Sequence, residues 1–222
     1  CFRDEDLRAE RQPEFTQIDM ELSFIEPEDI YDIVDRMLDA VMQACGHGPI
    51  SLPIPRMDYA TAMARYGSDK PDTRFAMCIE DLSDVFAEAD FKVFARAVAE
   101  GGVVKAFNAK GLGGVPVSTM DKWTEVAKEG GLGGLAYIRV QEDGSWKSPI
   151  VKFFSETEQQ VLRERLDMQP GDLVMFAADE ADKAHRVLGR LRLIAGRAAG
   201  AIPEDTFAFT WVTEFPLFER GE

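Results

Sequence analysis

Arg3 and Glu5 stand two residues apart, so on a strand both project from one face, where a guanidinium and a carboxylate can address one ligand together. Past a polar turn, Arg11, Phe15 and Asp19 recur four apart, and Phe15, Gln17 and Asp19 alternate onto a common face. Two strands joined by this loop would gather two arginines, an aromatic ring, an amide and an acid above one sheet. Such a set suits a zwitterion together with a nucleotide: arginine for a phosphate or carboxylate, a ring to stack on a base, an acid for an ammonium. An exposed charged hairpin would carry the same residues, so spacing alone leaves both readings open.

The elements that must position these residues follow from periodicity. Over 15–24, Thr16, Ile18, Met20, Leu22 and Phe24 form a largely apolar face and Gln17, Asp19, Glu21 and Ser23 a polar one, which predicts a strand. Pro27 then suits a first helical turn, and Glu28 and Asp29 suit the positive end of a helix dipole. Ile30, Ile33, Val34, Met37, Leu38, Val41, Met42 and Cys45 recur at helical spacing, predicting an amphipathic helix ended by Gly46. Asp58 caps a shorter predicted helix over 59–66 that stops at Gly67. Beyond the turn-rich Ser68-Asp-Lys-Pro-Asp72, strands are expected at 75–79, 103–107, 135–140, 150–154 and 173–178, and helices at 91–99, 120–128, 157–166 and 180–195. Residues 207–218 read as one more buried strand. The expected class is α+β, an antiparallel sheet packed against helices.

Glycine doublets punctuate this region, and Gly131, Gly133 and Ala136 fit a degenerate dinucleotide pattern. The pattern runs into strand-like sequence and not into the helix N-terminus that would hold a pyrophosphate, so these glycines are assigned to turns. With 222 residues, 45% of them hydrophobic, the chain has enough material for a packed core. A net charge of −15 argues against non-specific nucleic-acid binding. The basic residues of 183–197 read as a solvated helix face. Cys1, Cys45 and Cys78 lack disulfide or zinc spacing and read as reduced core thiols, and His47 and His185 read as surface or cap residues. No transition-metal site is proposed. No run approaches a membrane span and the charged opening is unlike a signal peptide, so a cytoplasmic chain without membrane contact is expected.

Cys1-Phe-Arg-Asp-Glu-Asp-Leu-Arg-Ala-Glu-Arg-Gln-Pro-Glu-Phe-Thr-Gln-Ile-Asp-Met-Glu21 closely resembles motif 2 of class II aminoacyl-tRNA synthetases in its aspartyl form: Phe-Arg-x-Glu, a loop, then Arg-x-x-x-Phe-x-x-x-Asp. Two further blocks, Pro55-Arg-Met-Asp-Tyr-Ala-Thr-Ala-Met-Ala-Arg-Tyr-Gly-Ser-Asp-Lys-Pro-Asp72 and Trp211-Val-Thr-Glu-Phe-Pro-Leu-Phe-Glu219, resemble segments of the bacterial-type enzyme. Between them, 75–201 resembles the insertion domain of that subgroup, called GAD because amidotransferase B subunits share it. The resemblance covers the whole chain. It implies part of an antiparallel-sheet catalytic domain (1–74), an inserted α+β GAD domain (75–201) and a return to the catalytic domain (202–222).

It also implies roles. Arg3 would bind the ATP α-phosphate near the aspartate carboxylate and serve as the catalytic group, with Asp4, Glu5 and Gln12 at the ATP end and Phe15 stacked on adenine. Asp19 with Gln17 would place the aspartate ammonium, and Arg8 with Arg11 would meet the tRNA acceptor end. ATP, Mg2+ and L-aspartate are the implied ligands, and the parent is expected to be a homodimer. Motif 1, the anticodon-binding barrel and the aspartate-selective lysine would precede Cys1, and motif 3 would follow Glu222, so the chain alone is expected to be inactive. The competing reading is a non-catalytic tRNA or protein interaction module built round the insertion domain; a degenerate paralogue is a third, against which intact Arg3, Glu5, Phe15 and Asp19 count.

Overall fold

The computed structural model describes residues 1–4, 6 and 11–218, and the chain divides into two compact units, Cys1–Ile54 and Pro55–Glu222.

In the first unit the main element is helix α1 (Pro27–Ala44). Pro27 occupies its first turn, and the Glu26 amide donates to Asp29 Oδ2 at 2.9 Å within a reciprocal capping box. The chain then doubles back along α1, tied by the Ile54 amide on Asp35 Oδ2 and the Ile50 amide on Asp39 Oδ1, each at 2.9 Å. The strand expected over 15–24 is not formed. The segment is irregular, Phe24 takes a left-handed φ of 58°, and Ile18 is 73% exposed. Alternation marks which face of a strand would be apolar, but a strand also needs a hydrogen-bonding neighbour, and beyond Phe15 no described residue provides one to 16–24.

The second unit is built on a five-stranded antiparallel sheet of order β2-β3-β6-β4-β5: β2 Glu80–Asp81, β3 Val103–Ala109, β4 Ala136–Val140, β5 Trp146–Lys147 and β6 Leu173–Asp179. The α+β class therefore holds. The central pair runs in register from Val103 opposite Asp179 to Ala109 opposite Leu173. Both strands are near-continuous apolar runs because both faces are covered. Phe107, Leu173 and Met175 pack under helices α5 (Val117–Glu129) and α7 (Ala181–Ala198). Val104, Val174 and Phe176 pack against α3 (Ser83–Phe86), α4 (Lys92–Ala99) and α6 (Glu156–Arg165). Helix α6 starts as its sequence dictates, with Ser155 and Glu158 closing a capping box.

Several local expectations change. Residues 75–79 form no strand, 150–154 contain a single 3-10 turn at Val151–Phe153, and only Trp211–Thr213 (β7) of 207–218 is a strand. β7 pairs in parallel with β1 (Arg56–Asp58), leaving Phe207, Phe215, Leu217 and Phe218 exposed. Short apolar runs do not by themselves separate strand from turn; pairing decides. Cys1 and Cys45 are exposed and Cys78 half-buried, all free, so two of the three are not core thiols. His185 is half-buried, with neither ring nitrogen hydrogen-bonded among the described residues, and is not a surface residue.

The basic stretch of α7 is a solvated face at Arg186, Arg190 and Arg197, but not at Arg192. Arg192 is 1% exposed and lies within the helix's apolar stripe beside Leu188, Leu191 and Ala195. Its guanidinium donates to the carbonyls of Asp72, Phe75, Ala76 and Met77 at 2.8–3.0 Å and lies 3.9 Å from the Phe75 ring centre. The segment leading from α2 (Tyr59–Tyr66) to β2 is thereby fixed on α7. The same two helices meet at glycines: a Cβ built on Gly189 would lie 2.5 Å from the Gly67 carbonyl oxygen.

Candidate functional site

The residues singled out for chemistry lie in the first unit, where 1–3 and 13–15 pair as antiparallel strand ends. Phe2 bridges Glu14, the Arg3 amide donates to the Pro13 carbonyl at 2.9 Å, and the Phe15 amide donates to the Cys1 carbonyl at 3.0 Å. This pairing puts Arg3 and Phe15 on one face, with the guanidinium 5.5 Å from the ring centre, a cation–π distance. Gln17 joins the same cluster, its Oε1 accepting from Cys1 Sγ at 2.8 Å.

Asp4, Gln12 and Asp19 are exposed, and among the described residues no hydrogen bond ties them to the Arg3–Phe15 pair. Arg11 is exposed as well. Glu5 and Arg8 lie outside the described residues. The structure thus unites an arginine, an aromatic ring and an amide, the set for a negatively charged group next to a flat ring. No three His, Cys, Asp or Glu side chains among the described residues converge into a group that could hold a metal ion.

The two other family-like blocks are also united, within the second unit. Arg56 stands opposite Trp211 and Asp58 opposite Thr213 across the β1–β7 pair, and the Tyr59 and Phe215 rings lie 5.0 Å apart. Asp58 caps α2 as its position predicts, accepting from the Thr61 amide and hydroxyl, each at 2.7 Å. These bonds, the amide's foremost, hold its carboxyl below the ordinary aspartate range. Sequence reasoning passed over Arg192, although its place three and four residues from Leu188, Leu191 and Ala195 in the apolar repeat was a visible signal.

A model of the family described as "tRNA synthetases class II (D, K and N)" matches residues 1–220, and the chain belongs to that family. It is 49% identical, over 99% of its length, to an aspartate–tRNA(Asp/Asn) ligase of Syntrophotalea carbinolica, and 52% identical, over 100% of its length, to the protein of that name from Bacillus cytotoxicus. It covers 37% of the first relative and 38% of the second. No helix among the described residues is long and apolar enough to cross a membrane.

Proposed function

We propose that this chain is part of an aspartate–tRNA ligase of protein biosynthesis, which activates L-aspartate with ATP and passes it to the acceptor end of tRNA. The observation that carries this reading is the Arg3–Phe15 pair on joined strand ends, inside a sequence similar along its whole length to proteins named for that activity. Those names extend the proposed tRNA substrates to both the aspartate and the asparagine tRNA.

In the first step an aspartate carboxylate oxygen attacks the α-phosphorus of ATP and pyrophosphate departs. Charge grows on the non-bridging oxygens, and a preplaced guanidinium stabilises it more in the transition state than in the ground state. Arg3 has that role and Phe15 stacks on adenine, which requires the guanidinium to swing from the ring toward the phosphate. Asp4, Glu5 and Gln12 hold the ATP end, Gln17 and Asp19 take the aspartate ammonium, and Arg8 and Arg11 meet the tRNA. In the second step a tRNA terminal ribose hydroxyl, the 3′ one, attacks the aspartyl carbonyl and AMP leaves. The family generally uses ATP with a divalent cation, which would neutralise phosphate charge. One or two carboxylates with the ATP phosphates would suffice to hold Mg2+, and no step is routed through it. The motif 3 arginine, a homodimeric parent, a cytoplasmic location and the division 1–74, 75–201 and 202–222 belong to the same proposal.

The test is ATP–pyrophosphate exchange with aspartate. In the full-length parent, Arg3→Ala should lower the rate roughly a hundred- to a thousandfold, about 2.7–4 kcal/mol. This chain alone should show little exchange, since positioning dominates such reactions and it covers 37% of its relative. Near-normal exchange by the variant would remove Arg3 from the reaction.

A further inference from the structure

The second unit holds a cavity whose charge runs against the composition of the chain. Forty acidic residues face 25 basic ones in the sequence, yet the cavity of about 500 Å³ beside β4, β5 and the start of α5 is lined by Arg139 and Lys147 and by no acid. That volume is in the range of small-molecule sites.

Arg139 and Lys147 are directly opposed across the β4–β5 pair, so both project from the same face of the sheet. Like charges so placed repel, and among the described residues neither forms an ion pair. Arg139 is held in place: its Nη1 donates to the Gly113 and Val115 carbonyls, both at 2.6 Å. Its Nη2 is buried and has no hydrogen-bond partner among the described residues. Nη2 lies out of reach of the cavity, so Arg139 contributes its positive charge to the site and not that donor. Val117, at the cavity wall, opens helix α5, which has no side-chain cap and no acidic residue in its first turn, so the positive end of its dipole is uncompensated. Ser148 adds a hydroxyl, and the Tyr137 ring lies against the Arg139 guanidinium, 5.7 Å from its centre.

A second cavity, at Asn108, differs. Its Lys110 and Arg165 are already matched, Lys110 to Asp167 at 2.9 Å and Arg165 to Asp84.

We propose that the Arg139–Lys147 cavity is a binding site for a phosphate monoester, the phosphate between the two cations and the start of α5, and any organic part along Tyr137. Two cations, a helix N-terminus and a hydroxyl suit a compact dianion with oxygens pointing several ways. The site is independent of the motif 2 residues and of the aminoacylation reading.

The experiment is calorimetric titration of the 222-residue chain with inorganic phosphate, AMP and succinate, in the unchanged protein and in Lys147→Gln, Arg139→Gln and Arg3→Ala. Inorganic phosphate should bind at one site, weakened about tenfold or more by Lys147→Gln and by Arg139→Gln and unaffected by Arg3→Ala. Arg139→Gln also frees the Gly113 and Val115 carbonyls and can disturb the loop; Lys147 is exposed, so its replacement tests the site without that complication. Tighter AMP than phosphate, with the same variant pattern, assigns an organophosphate ligand, and equal affinity assigns free phosphate. Absence of phosphate binding, binding indifferent to Lys147→Gln, or succinate bound as well as phosphate would overturn the proposal. An AMP signal lost only in Arg3→Ala belongs to the motif 2 site, and if phosphate binding is then also insensitive to Lys147→Gln the proposal is overturned.

Discussion

Replacing Arg192 by leucine should destabilise the second unit by about 3–5 kcal/mol, the range for breaking a buried charged arrangement from one side. The guanidinium is 1% exposed and supplies Nε to Met77 and Nη2 to Asp72, Phe75 and Ala76. Nη2 has only two hydrogens for three carbonyls, so the gross contribution is about three charge-assisted bonds and not four. The Met77 and Phe75 bonds are buried, and losing the donor leaves those carbonyls unsatisfied at about 1–3 kcal/mol each. The Asp72 and Ala76 bonds are partly buried, where water can replace the donor. The contact with the Phe75 ring at 3.9 Å is also lost, at about 2 kcal/mol for a desolvated pair. Leucine returns part of this through apolar burial and removes a desolvated charge, which brings the sum back to the stated range. Urea unfolding followed by tryptophan fluorescence measures it, since Trp123, Trp146 and Trp211 all lie in the Pro55–Glu222 unit. Arg192→Lys should fall between the two proteins, because an ammonium lacks the planar fork. A loss below about 1 kcal/mol for Arg192→Leu would refute the reasoning, for it would mean the Asp72–Met77 carbonyls are satisfied without the arginine.

Gly189→Ala should also destabilise, by about 1–3 kcal/mol, although alanine is the better helix former: the added Cβ meets the backbone of Tyr66 and Gly67, which cannot step aside as a side-chain tip can. Thermal or urea unfolding checks this, and an alanine variant as stable as the parent would contradict the close approach of α2 and α7. Burial, then the nearby Lys105 charge, hold the His185 pKa below its ordinary value against the opposing pull of Asp182 and Asp81. Its unfolded form therefore takes up a proton first, so its stabilising contribution is complete above about pH 6.5 and is lost as pH falls through the lowered folded value. Urea midpoints measured from pH 7.5 to 5 should decline more steeply for the parent than for His185→Phe, and parallel curves would dismiss the histidine as the cause.

The sequence by itself determined the longer helices and the middle of the sheet, but not the short α3. α1 was legible from Pro27, the acidic first turn and the apolar repeat, because helix hydrogen bonds close within four residues and every determinant is local. The long central strands β3 and β6 were legible because burial on both faces leaves an unbroken apolar run. The site was legible as far as Arg3, Phe15 and Gln17 sharing a face, since strand alternation is local too. Only the tertiary structure decided that 16–24 finds no strand partner among the described residues, that β1 finds β7, and that Lys147 stands opposite Arg139. It alone also placed the charge of Arg192 inside the core beneath four carbonyls. The β1–β7 pair and the Arg192 bonds depend on partners far along the chain. A ladder bond or a buried ion is satisfied or left unmatched by whatever the fold brings to it, and residue type and spacing carry no record of that neighbour.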